Sequence, residues 1–156
     1  MNASNLLQAF GEATGLANLA FDADGSAFFE TASEHLRVSL ERDDQDSKLL
    51  AAVELGRLDL NSDAETASIC GALLLVNSVF IALGRGSFAL EGENSDRIML
   101  MQVFDAASIS REDFLGKMET LLADAREWAL RIQGQDLGEV GEGATQAAAS
   151  ADMMRA

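Results

Sequence analysis

Few residues in this chain are of types that do covalent or acid–base chemistry, and their spacing limits them further. His35 is the single histidine and Cys70 the single cysteine. One histidine at a polar turn supplies neither a multi-histidine metal site nor a histidine-based triad within one chain, and reads as a solvated residue. Cys70 lies inside an apolar run with no base predicted beside it, where a thiol behaves as a small hydrophobe. The run Asp22-Ala23-Asp24-Gly25 begins like a calcium loop. An EF-hand starting at Asp22 would need glycine at position 27 and glutamate at position 33, where Ala27 and Ser33 stand. A hairpin turn is the better reading. Gly84-Arg85-Gly86 lacks the strand–loop–helix context of a phosphate loop and reads as the end of a helix before a hairpin. Carboxylate pairs such as Asp43 with Asp44 fall in solvated turns, where nothing would raise a pKa. No catalytic residue, metal ligand or cofactor site is expected. The chain reads as built to bind rather than to catalyse.

The elements that must position any binding surface centre on residues 66–84, TASICGALLLVNSVFIALG, which carry no charged side chain in a chain of net charge −15. This segment is apolar around nearly its whole circumference, so a helix here must be covered on more than one side. A membrane could cover it: at about 1.5 Å per residue the run approaches the roughly 30 Å of a hydrocarbon core. Against that stand Thr66, Ser68, Asn77 and Ser78 inside it, and flanks with Arg85 as the one nearby cation. A second copy of the chain is the preferred cover. The N-terminus, MNASNLLQAF, has neither the basic region nor the apolar stretch of a secretory signal.

The 156 residues fit one domain with a core of its own. One cysteine excludes an internal disulfide and is compatible with a reducing cytosol. With 26 acidic residues against 11 basic ones, the surface should repel nucleic acid and anionic membranes and would suit a basic polypeptide partner, or serve plain solubility.

Periodicity predicts a helix over 4–13, from Leu6, Leu7, Phe10 and Ala13. Extended structure follows at 27–31. Alternation of Leu36, Val38 and Leu40 with polar neighbours predicts a half-buried strand over 36–42, and 49–55 reads as another, ended by Gly56. Ser62 with Glu65, and Ser110 with Asp113, have the spacing of capping boxes opening the apolar helix and a helix over 111–132. Between those helices, 87–91 and 97–104 flank Gly92-Glu93-Asn94-Ser95, a hairpin by its turn chemistry. The expected fold is α+β: helix, three antiparallel strands, apolar helix, β-hairpin, C-terminal helix. It occupies residues 1–133. Residues 134–156, rich in glycine, alanine and polar types, read as a disordered tail.

Several stretches in this order resemble one known family. They are Leu19-Ala20-Phe21-Asp22-Ala23-Asp24-Gly25, residues 49–58 with their glycine-containing turn, Leu73-Leu74-Leu75-Val76-Asn77-Ser78-Val79-Phe80, and the last helix with Phe114, Leu121, Leu122 and Trp128. Together with size and acidity, over about residues 4–132, they are similar to class I type III secretion chaperones, the CesT-like group. The proline that the turn after Leu58 would carry is absent, and the tail after Gly134 is long for the group.

The resemblance implies a cytoplasmic bacterial protein that escorts effectors to a secretion apparatus without ATP. It implies a homodimer with the apolar helix at the two-fold axis, and Ile69, Leu73, Leu74, Val76, Asn77 and Phe80 as interface candidates, although half of that helix must face its own core in any case. It implies that a non-globular N-terminal segment of the effector wraps the dimer in extended form. Candidates for the client surface are Leu6, Leu7 and Phe10 on the first helix with Phe21, Phe28, Phe29, Val38 and Leu40 on the strands. Phe28 and Phe29 are adjacent, so one should point inward and the other outward. Two rival readings stand: a dimeric adaptor that binds a folded partner, and an enzyme whose carboxylates gather around a metal across a dimer. A client segment shielded from protease separates chaperone from adaptor; a bound metal would favour the enzyme.

Overall fold

A computed structural model describes residues 1–16, 18–92 and 95–134. The elements run α1 (Ala3–Thr14), β1 (Ser26–Glu30), β2 (Arg37–Arg42), β3 (Lys48–Arg57), α2 (Asp63–Ala82), β4 (Ser87–Leu90), β5 (Arg97–Asp105) and α3 (Arg111–Gly134). The strands form one antiparallel sheet in the order β1-β2-β3-β5-β4. After β3 the chain crosses through α2 to the β4 edge, and β5 turns back into the gap between β3 and β4. This is the α+β fold expected from the alternation of periods.

Register explains why one face of the sheet is closed. Phe29 pairs with Val38, Val38 with Val53 and Val53 with Leu100, while Leu49 pairs with Phe104, so these side chains share a face. They meet α1 and α3 through Leu6, Phe10, Phe114, Met118 and Leu121, all buried in one cluster. Burying each such side chain contributes about 1.5–3 kcal/mol relative to exposure. The opposite face carries Phe28, Leu50, Met101 and Val103, of which Val103 is 62% and Phe28 65% exposed.

Local caps hold the helix ends. Asn2 accepts from the Asn5 N–H at 2.9 Å at the start of α1, and Gly15 takes the left-handed conformation, φ 75°, at its end. The β2–β3 turn adds to that cap: Asp46 accepts from the backbone N–H and the hydroxyl of Ser4, each at 3.0 Å, and its carbonyl from Ala3. At α3 the Asp113 N–H donates to Ser110 Oγ at 3.0 Å while that hydroxyl donates to the Asp113 carboxylate. Ser62 precedes α2 as expected but makes no side-chain capping bond; Thr66 instead donates to the Asp59 carbonyl at 3.0 Å. Two other expectations shift. β3 does not end at Gly56: the register slips between Glu54 and Gly56 and the strand continues to Arg57. α3 continues through Gly134, which leaves the rest of the expected tail, 135–156, outside the described residues.

Candidate functional site

The acidic residues singled out in the sequence hold turns, and the single histidine faces solvent. Asp22 Oδ1 accepts from the N–H groups of Asp24 and Ser26 at 3.0 and 2.9 Å, with Gly25 at φ 81°, which makes the acidic run a turn into β1. Asp43 accepts from the Ser47 hydroxyl and from the N–H groups of Ser47 and Lys48, and these bonds hold its pKa below the ordinary carboxylate value. A hydrogen bond from Ser33 and the Arg126 charge lower that of Glu34 in the same direction. His35 faces solvent, its Nδ1 2.6 Å from a Glu30 oxygen. Among the described residues no group of three or more His, Cys, Asp and Glu side chains converges as a metal site.

Gly84-Arg85-Gly86 is the hinge on which α2 meets the sheet. Arg85 makes a two-pronged ion pair with Asp124 of α3, Nε to Oδ2 at 2.8 Å and Nη2 to Oδ1. The carboxylate raises the Arg85 pKa above its ordinary value, and burial opposes it. The guanidinium also lies 5.0 Å from the centroid of the Phe80 ring. Gln102 donates to the Gly84 carbonyl at 2.8 Å. A Cβ at Gly86 would stand 2.5 Å from the Met101 carbonyl oxygen, and the backbone there has φ 103°, so glycine is required.

α2 resolves into two faces. Ile69, Leu73, Val76 and Phe80 are buried, and Phe80 completes a ring cluster with Phe88 and Trp128 at 4.9–6.2 Å between centroids. These four interface candidates are therefore core residues of their own chain: their spacing forms one helical stripe, on the side of α2 that meets β4, with Phe80 also reaching Trp128 of α3. Asn77 is committed as well. Its amide donates to the Phe88 carbonyl at 3.0 Å and its carbonyl accepts from the Phe88 N–H at 2.6 Å. Of the six candidates Leu74 alone projects outward, 71% exposed, and sequence reasoning missed its exposed companions Leu75 and Ile81. Ile81 borders a groove on the open sheet face with Leu50, Met101 and Val103, so helix and sheet share one apolar surface. A signal for the sheet half was present: residues 98–104 are apolar at nearly every position, the pattern of a strand covered on both faces. α2 is also long and apolar enough to cross a membrane by length and composition.

The expected client surface divides in the same way. Leu6, Leu7, Phe10, Val38 and Leu40 are buried between the helices and the sheet, because apolar residues in phase on facing elements make the core first. Their side chains are enclosed in this chain, with Leu7 alone of the five bordering an open groove. Phe29 points inward to Phe10, ring centroids 5.4 Å apart, and stays partly buried, as does Phe21. Phe28 points outward. It stands on β1, an edge strand with no neighbour beyond it among the described residues.

A single-sheet fold that leaves apolar side chains open on a helix, a sheet face and a strand edge has the surfaces a protein-binding module needs. The chain belongs to the Tir chaperone protein (CesT) family, whose model matches residues 5–129. Solved structures share the fold. A chain of the ExsC–ExsE complex superposes with a TM-score of 0.65 at 22% identity, covering 81% of this chain and 90% of that one. A chain of the HopA1–SchA chaperone–effector complex gives 0.60 at 21% identity, covering 80% and 91%. One from the complex of the Yersinia pestis type III secretion chaperone SycH with a stable fragment of YscM2 gives 0.58 at 19% identity, covering 81% and 98%. No curated protein sequence matches this chain.

Proposed function

We propose that this chain is an ATP-independent chaperone of a type III secretion system, acting in the bacterial cytoplasm as a homodimer on the N-terminal segment of an effector. It needs no cofactor, catalyses no reaction, and uses neither nucleic acid nor membrane. The observation that carries the reading is the separation of two open apolar surfaces on a fold of this family. The α2 surface, Leu74, Leu75 and Ile81 with Val103 beside them, is suited to a second copy, since a two-fold axis lets one patch cover its twin. The β1 edge, with Phe28 exposed and Phe21 and Phe29 partly so, is suited to an extended client strand: backbone hydrogen bonds supply affinity and alternate side chains find apolar contacts. Binding keeps the segment from folding or aggregating, which requires no energy source. The solved complexes of the same fold, one of them a chaperone–effector complex, support that kind of partner.

Native mass spectrometry of the tagged chain purified from its own cell tests this. The expected species holds two copies of the 16.6 kDa chain and one larger protein, whose N-terminal segment is shielded from protease. A bare chain, or a partner bound through a folded domain, would instead assign the chain to the adaptors.

A further inference from the structure

Arg42 is out of place. Period-two alternation along β2 puts it in phase with Val38 and Leu40, on the sheet face that the helices cover, yet it is a cation. It lines an open groove of about 390 Å³ with Ser4, Leu7, Gln8, Leu19 and Phe21, its guanidinium carbon 5.5 Å from the centroid of the Phe21 ring. Every other arginine among the described residues holds a carboxylate at 3.7 Å or closer. The nearest carboxylate oxygen to Arg42 is Asp46 Oδ1 at 4.0 Å, and it already accepts both Ser4 donors. Arg42 Nε is buried with no hydrogen-bond partner, a condition that costs free energy until an acceptor arrives. The side chain is 35% exposed, so part of the guanidinium fork remains within reach from the groove. Residues 19–22 on the wall of this groove lead directly into β1, whose outer edge is open.

We propose that this groove receives an apolar side chain of the client together with a carboxylate two positions away, which pairs with Arg42 and fixes the register of the extended segment. Side chains two apart in a strand share a face, so both can enter the same groove. An acidic client residue is repelled by most of a chain of net charge −15, which makes the one arginine among the described residues with no carboxylate closer than 4.0 Å a selective position for it. The inference rests on the chaperone reading above.

The test uses full-length chain, wild type and Arg42→Gln, with the effector segment that co-purifies, and with copies of that segment in which each acidic residue in turn is replaced by its amide. Affinity is read by fluorescence anisotropy at low and high salt, and thermal melting confirms that Arg42→Gln remains folded. Arg42→Gln is expected to weaken binding about tenfold, as loss of one charge-assisted pair would. One amide replacement should weaken wild type equally and Arg42→Gln no further, with the difference shrinking in salt. Unchanged affinity of Arg42→Gln would overturn the proposal. So would an equal loss against every segment, which would make Arg42 a prop for Phe21. If no segment co-purifies at all, the chaperone reading itself fails and takes this one with it; a segment that binds without regard to Arg42 overturns this one alone.

Discussion

Arg85 and Asp124 are bonded to each other but not equally placed. The Asp124 side chain is 5% exposed and that of Arg85 39%. Removing the arginine strands a buried carboxylate, whereas removing the aspartate lets the arginine turn to water. Arg85→Met is therefore expected to destabilise the fold by about 3 kcal/mol, and Asp124→Asn by about 1 kcal/mol, in urea unfolding. Equal losses would mean that packing on Phe80, not charge, is what the pair provides. Nothing in the sequence hints at this partnership, because the two residues lie on different elements with a hairpin between them. The sequence did show that Gly84-Arg85-Gly86 ends a helix rather than cradling a phosphate, since the motif lacked the preceding strand.

Most elements were legible because each had a period or a cap of its own. Leu36, Val38 and Leu40 announced β2, and Ser110 with Asp113 announced α3. α2 was legible as a helix but not in its orientation, because a helix apolar all round has no phase to read. Packing encloses Ile69, Leu73, Val76 and Phe80, the last against Phe88 and Trp128, and leaves Leu74 and Leu75 outside. The neighbouring pair is the sharper probe of the proposed two-fold contact. Leu75→Asp should raise the dimer dissociation constant roughly a hundredfold or more, because each two-fold contact loses the residue twice. Sedimentation at micromolar concentration checks this, and a variant that stays dimeric would remove this face of α2 from the interface. Val76→Asp would fail to make the distinction, since it injures the core.

At the scale of the whole molecule, the family and the kind of surface could be read from order, size and acidity, while the particular contact residues could not. Leu6, Leu7, Phe10, Val38 and Leu40 obey the same apolar rule as Phe28, and only the assembled sheet separates what is enclosed from what is left open. That separation makes the two proposed surfaces independent. Phe28→Asp is expected to leave the dimer and its melting temperature unchanged while weakening client binding tenfold or more, measured as loss of protease shielding of the segment. Shielding that persists would move the client off the β1 edge. The Asp46 contact to Ala3 and Ser4 carries a separate implication, for the order in which the molecule assembles. α1 has 12 residues and no acid in its first turn, too little for a helix to persist alone in water. Part of its cap comes from the β2–β3 turn, so the hairpin must close before the helix has a complete start. α1 is thus expected to settle after the β2–β3 hairpin, and until it does the groove wall formed by Ser4 and Leu7 does not exist. For the proposed chaperone, this would make competence for a client wait on the completion of the chain's own folding.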